Sequence, residues 1–308
     1  MSEPDYLFDG SGPAPDDVRR LEELLGRFAH GRKQTAPPAM PPPARGLRVR
    51  WILAAAAAAV VLAAVVLRLL SGRSHSARTA SGIAIVRADG APVGIDEWIE
   101  TRDETQHLSL STVGWLTLAP GGRLHVRRLD DEQGRFYLER GSLEAFVFPQ
   151  VKARFFQVDT PAATCVDLGC KYTLQVDPAS KVAHVVVTMG QVAFVEDGRE
   201  VFIPRGAECR AVPRVGAGTP RFTDCSEELR ARLDAFDAAH EPERRRALAA
   251  EVAAAAAEPR DTLPLWHLYS STDPQVRAAV EPALVRLGGE PAERTVEGFR
   301  DHLDRLWW

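Results

Sequence analysis

The stretch WILAAAAAAVVLAAVVL, Trp51 to Leu67, constrains this chain more than any other feature, because it carries no charge, proline or glycine. With the stem of Arg68 and Leu69 and Leu70 included, it reaches the roughly 20 apolar residues that cross a bilayer as a helix. Trp51 then falls at the headgroup boundary. A buried Ala-rich helix of a soluble domain is the competing reading. The Pro-rich run TAPPAMPPPARG before the stretch and the Gly/Ser-containing run SGRSHSARTASG after it isolate it from any domain. It begins too late for an ordinary signal peptide, and no small-x-small cleavage pattern follows, so residues 51–70 are expected to remain as a transmembrane helix. Arg32, Lys33, Arg45, Arg48 and Arg50 precede the span, and Arg68, Arg73, Arg78 and Arg87 follow it. The slight basic excess before the span favours a cytoplasmic N-terminus.

The two flanks differ in character. Residues 1–35 read as an amphipathic docking segment. Asp16 and Asp17 suit the positive end of a short helix, and Val18, Leu21, Leu24, Leu25 and Phe28 recur at helical spacing on one face. Tyr6, Leu7 and Phe8 form an aromatic anchor ahead of the Asp9-Gly10 turn. One such helix has no core of its own, so its stripe needs cover from a partner, a second copy or the membrane surface. Residues 36–50 are a semi-rigid polyproline linker. Beyond the span, residues 80–215 read as many short strands cut by turns at Asp89-Gly90, Gly121-Gly122, Asp177-Pro178 and Asp197-Gly198. Phe136, Leu138, Leu143, Ala145 and Val147 can face one core. No crossover helices separate the strands, which predicts a mainly antiparallel β-roll or sandwich. Residues 226–308 switch to helical periodicity and predict a small all-α bundle or HEAT-like stack. Ser226 caps a helix with Leu229, Leu233 and Phe236 on one face; Pro242 opens a second. Leu265, Trp266 and Leu268 mark a third helix. A fourth runs from Asp273 and Pro274 to a stop at Gly288, and Phe299, Leu303 and Leu306 lie in register in the last. Trp266, Trp307 and Trp308 read as packing residues.

Composition and motifs exclude several functions. The 308 residues carry a net charge of −4, with no basic excess that would suit nucleic acid. No nucleophile elbow, phosphate loop, zinc-protease or EF-hand pattern is present, and the eight histidines are scattered, so neither an enzyme nor a cofactor is expected. An anchored enzyme built from residues distant in sequence is the third-ranked reading. All four cysteines follow the span, which suits an oxidising outer side. In an unbroken strand Cys165 and Cys170 would be about 16 Å apart, too far to bridge unless Gly169 or a tight turn folds the segment back. Four cysteines allow three pairings; Cys170 with Cys209 and Cys165 with Cys225 are favoured, and zinc is the rival. Asp167-Leu168-Gly169 reads as a turn or bulge.

The run GSLEAFVFPQVKARFFQVDTPAATCVDLGCKYTLQVDPASKVAHVVVTMGQVAFVEDGREVFIPRGAECRA, Gly141 to Ala211, resembles the FecR family of membrane-anchored regulators of extracytoplasmic-function sigma factors. The matching positions are Gly141, Leu143, Val158, Thr160, Pro161, Ala162, Asp167, Leu168, Gly169, Tyr172, Leu174, Val176, Val185, Val187, Gly190, Val192 and Gly206, and GWLTLAPGGRLHVRRL upstream looks like the domain's first part. The resemblance implies a bacterial inner-membrane protein with its C-terminus in the periplasm. Its N-terminal segment would bind a cytoplasmic sigma factor, and its β-domain would meet a periplasmic or outer-membrane protein or ligand. The N-terminal segment is shorter than in the best-known members, and the C-terminal region is helical instead of a transducer-contact region. An envelope binding or scaffolding protein without a sigma-factor role is the alternative.

Overall fold

In the computed structural model, residues 82–307 are described; the expected docking segment, linker and span at 1–70 lie outside them, as does Trp308. Among the described residues no helix is long and apolar enough to cross a membrane. The chain divides into two compact units, 1–71 and 72–308, and the described residues all fall in the second.

Alternating apolar and polar positions build two sheets. Sheet I holds β1 (Ile85–Arg87), β2 (Pro92–Val93), β4 (Gln106–Leu110), β5 (Gly114–Leu118), the second half of β7 (Gly134–Val147), β10 (Lys171–Val176), β11 (Ala183–Met189) and β14 (Ala207–Val212). The short β15 (Gly216–Ala217) and β16 (Arg221–Phe222) pair with β14. Sheet II holds β3 (Trp98–Glu100), β6 (Arg123–Leu129), the first half of β7, β8 (Phe156–Asp159), β9 (Thr164–Asp167), β12 (Gln191–Glu196) and β13 (Arg199–Pro204). Pairing is antiparallel except between β7 and β8. The mainly antiparallel β-architecture expected of the strand pattern is therefore present, with one parallel pair inside it.

Strand β7 joins the two sheets, and its sequence shows how. Phe136 and Leu138 are buried at even positions, whereas Leu143, Ala145 and Val147 are buried at odd ones. A regular strand would send these two sets to opposite faces. The change of parity falls around Gly141, at φ +94°, where a Cβ would lie 2.5 Å from Gly122 Cα. Only glycine allows both that backbone conformation and that approach. One strand thus lends an inward face to both sheets, and their interior side chains form one continuous core.

The helices begin where the strands end. α1 (Glu227–Ala238) is capped by Ser226, whose Oγ accepts from Leu229 N at 3.2 Å, and it buries Leu229, Leu233 and Phe236. α2 (Pro242–Ala255), α3 (Thr262–Tyr269), α4 (Pro274–Gly288) and α5 (Val296–Trp307) follow. Asp273 caps α4 through Gln275 N at 2.9 Å, and Gly289, at φ +90°, ends it one residue beyond the expected stop. α2 packs on α1 and α4, and α3 packs on α4 and α5. Trp266 and Trp307 are buried, the latter donating from Nε1 to Thr262 Oγ1 at 3.1 Å. Helices and sheets share the core. The join is pinned by His267, whose Nε2–H donates to Phe202 O at 3.0 Å, and burial depresses the imidazole pKa to about 3, so it stays neutral. Arg221, 5% exposed, bridges Glu208 of β14 and Asp234 of α1, and Thr219 binds Asp237 of α1 through its N–H and its hydroxyl.

Candidate functional site

Several of the residues that carried the resemblance lie in turns or where the chain crosses between sheets. Thr160 and Pro161 turn β8 into β9: Thr160 Oγ1 accepts from Ala162 N and Ala163 N at 3.1 and 3.0 Å and donates to Ala163 O at 2.7 Å. Asp167-Leu168-Gly169 carries the chain from β9 in sheet II to β10 in sheet I, as the turn reading expected of it. Asp167 Oδ1 accepts from Gly169 N at 2.6 Å, and Oδ2 receives the Cys170 thiol. Burial raises the Asp167 pKa to about 6 against these hydrogen bonds. Gly190 returns the chain from β11 to β12 at φ +71°, pressed on the first crossing so closely that a Cβ would lie 2.2 Å from Gly169 O. Gly206 makes a third crossing, from β13 to β14, and its N–H donates to Val187 O at 2.7 Å. Tyr172 is fully buried beside the first of these crossings, with its hydroxyl close to the Cys165 thiol.

The favoured disulfides do not form: Cys165, Cys170, Cys209 and Cys225 are all free thiols. Strand register gives the reason. Cys209 stands opposite Val185, which stands opposite Leu174, so Cys209 is two strands from β10 and level with a position four residues beyond Cys170. Strand spacing and rise then separate Cys170 and Cys209 by about 16 Å, well over the roughly 7 Å a bridge tolerates. Cys165 lies in the core near Asp167 and Tyr172, whereas Cys225 is half-buried among Arg230, Arg221 and Asp261. Burial pushes the Cys165, Cys170 and Cys209 thiols far up, which keeps them protonated and inert. Among the described residues, no three His, Cys, Asp or Glu side chains converge as a metal site. The proposed docking residues Tyr6, Leu7, Phe8, Val18, Leu21, Leu24, Leu25 and Phe28 lie outside the described residues.

Sequence reasoning missed a surface on the outer face of sheet II. The register aligns Trp98, His125, Tyr137, Asp159 and Thr164 in one row across β3, β6, β7, β8 and β9. Trp98 stacks on His125 with centroids 4.5 Å apart and meets the edge of Tyr137 at 6.2 Å. Arg123 covers the Trp98 ring at 4.1 Å, and Arg127 covers Tyr137 at 4.3 Å. Arg127 Nη1 and Arg135 Nε each donate to Asp159 Oδ2 at 2.7 Å; Arg135 Nη2 and Thr164 Oγ1 donate to Oδ1 at 3.0 and 2.8 Å. Burial acts to raise the Asp159 pKa, but the hydrogen bonds and the two guanidinium charges outweigh it and hold the carboxylate ionised. The row holds its arginines and aromatics in fixed positions. Trp, Tyr and Arg are the residue types that dominate protein-contact hot spots. Alternation in RLHVRRL and GRFYLERG signals which side chains face outward, but the pairing of five strands is needed to see that they form a row.

Residues 97–193, from before Trp98 in β3 into β12, match the family described as FecR protein. No curated protein matches the chain. Among solved structures, a provisionally assigned anti-sigma factor from Parabacteroides distasonis ATCC 8503 is 14% identical, covering 44% of this chain and 63% of that one, with a TM-score of 0.36. A second structure of the same description is 15% identical, covering 44% and 64%, with a TM-score of 0.35. The chain thus spans less than two thirds of the length of those structures. The sheet crossings at Gly141, Gly169 and Gly190 and the Trp98 row all lie within residues 97–193, the part of the chain that matches the FecR protein family.

Proposed function

We propose that this chain is a single-pass inner-membrane regulator of an extracytoplasmic-function sigma factor. Its N-terminal segment is cytoplasmic and docks the sigma factor through Leu21, Leu24, Leu25 and Phe28. Its FecR domain is periplasmic and receives an envelope partner on the Trp98–Thr164 row. The family match over residues 97–193 is the observation that supports this reading most directly. A lone span transmits little by sliding, so the signal passes inward as a change in association or in exposure to proteolysis. The test is capture by the full-length tagged protein, solubilised from the membrane of its own cells. A sigma factor is expected among the retained proteins, and Leu21→Asp with Leu25→Asp is expected to release it. A wild-type capture without any sigma factor refutes the regulatory role and leaves an envelope scaffold.

A further inference from the structure

A second aromatic cluster lies on the other sheet, on the outer face of sheet I. Trp115 of β5 stands opposite Phe146 of β7, and their rings stack with centroids 4.1 Å apart. Phe148 meets both edge-on, at 5.8 Å from Trp115 and 5.6 Å from Phe146. Trp115 is 41% exposed. The register extends the apolar strip across Ser109 to Val86 of β1 on one side, and past Lys171 to the exposed Met189 on the other. Lys171 is offset by Glu144 at 3.0 Å, so the strip carries no uncompensated acid along this row.

The position of this cluster along the chain suggests what covers it. The chain enters the β-domain at Ala84, whose N–H donates to Ser111 Oγ at 2.9 Å; that hydroxyl donates back to Ala84 O at 3.0 Å. Ser111 belongs to the turn between β4 and β5. Val113 in the same turn accepts Phe148 N through its carbonyl at 2.9 Å, and Trp115 follows two residues later. The entry point and the aromatic cluster are therefore held by one turn. If the hydrophobic stretch ends at Leu70, residues 71–84 are the whole tether. Fourteen residues cannot reach further than about 50 Å. Arg73 and Arg78 within it favour anionic headgroups.

We propose that Trp115, Phe146 and Phe148 seat the β-domain on the bilayer surface, with the lipid headgroup region as their occupant. Tryptophan prefers that region, the two phenylalanines add apolar area to the contact, and a short tether makes the contact intramolecular, so three rings suffice where a free domain would need a second anchor. The inference rests on the membrane span at 51–70. In the seated state the Trp98 row on sheet II stays in water, open to an envelope partner.

Full-length protein labelled with 5-fluorotryptophan, in nanodiscs of phosphatidylcholine with a minor share of phosphatidylglycerol, tests this by fluorine NMR. Trp→Phe substitutions assign the six tryptophans, and a doxyl-labelled lipid serves as the paramagnetic probe. Trp98, 39% exposed on sheet II, is the matched control for Trp115. The expected result is several-fold broadening of the Trp51 and Trp115 lines and a sharp Trp98 line. A broadened Trp51 with Trp115 as sharp as Trp98 overturns the seating alone and assigns the cluster to a polypeptide partner. A sharp Trp51 overturns the span, and the seating falls with it.

Discussion

If the two sheet crossings at Gly169 and Gly190 brace each other, a methyl group at position 190 should be far more damaging than one at an equally left-handed but open position. Gly190 has φ +71°, and an added Cβ would lie 2.2 Å from Gly169 O and 3.0 Å from Cys170 Cα. Gly198, in the β12–β13 turn, has φ +80° and nothing within 4 Å. Both substitutions to alanine incur the left-handed backbone penalty, about 1–2 kcal/mol. Only Gly190→Ala also forces main chain apart by more than an ångström, an overpacking cost of about 1–3 kcal/mol. The totals are about 1–2 kcal/mol for Gly198→Ala and about 2–5 kcal/mol for Gly190→Ala. For a folded unit of this size, 1 kcal/mol moves the melting temperature by about 2–4 °C, so the two variants should melt about 2–12 °C apart. Thermal unfolding of the full-length protein in detergent, followed by near-ultraviolet circular dichroism, reads the difference. Equal melting temperatures would show that the crossings are independent turns and that the core does not depend on their contact.

Three further outcomes follow from buried ionisable groups. Asp159→Asn removes a carboxylate that Arg127 and Arg135 both grip. Because those arginines are more than 40% exposed and screened, the loss should be about 1–3 kcal/mol in urea unfolding at pH 7. Its folded pKa is depressed, so the wild-type advantage should vanish as pH falls through that depressed value. Asp167 behaves oppositely: its pKa rises from 3.8 to about 6, so stability present below pH 3.8 is lost as pH climbs to 6, by at most about 3 kcal/mol. Urea midpoints of Asp167→Asn should therefore gain on wild type between pH 4 and pH 7; a constant difference would contradict the burial of that carboxylate. His267→Gln should weaken the helix–sheet join by about 1–3 kcal/mol at pH 8. Since the His267 pKa is depressed to about 3, that gap should shrink as pH falls below 6.5, measured by the same unfolding curves.

How much of this was legible beforehand depends on the range of the interactions involved. Ser226 as a cap, Leu229, Leu233 and Phe236 as one face, and Asp167-Leu168-Gly169 as a turn are local features, set within a few residues, and they read correctly. The inward residues of β7 were also legible, but not the change of parity at Gly141, because only the opposing Gly122 shows why the strand must break its alternation. The cysteine pairing failed for the same reason. Spacing along the chain says nothing about Val185 standing between Leu174 and Cys209, and that intervening strand decides the distance. The Trp98 row is the extreme case, since its members come from five strands and 67 positions of chain, and only the ladder brings them together.

This division has a functional consequence. Gly141, Thr160, Asp167, Gly169, Gly190 and Gly206 are all engaged in turns and crossings, and Tyr172 is buried. None offers a side chain to a partner at the surface. The positions that carry the family resemblance therefore account for how two sheets are stitched into one core and leave recognition to other residues. Those are the outward members of the same strands, where Trp98, Tyr137, Arg127 and Arg135 face away from sheet II and Trp115 and Phe146 face away from sheet I. On the proposed reading, two aromatic surfaces on two sheets give the domain separate places for an anchor contact and a partner contact. Substitutions at the crossings should then act through stability, whereas substitutions at the outward positions should alter association while the fold persists.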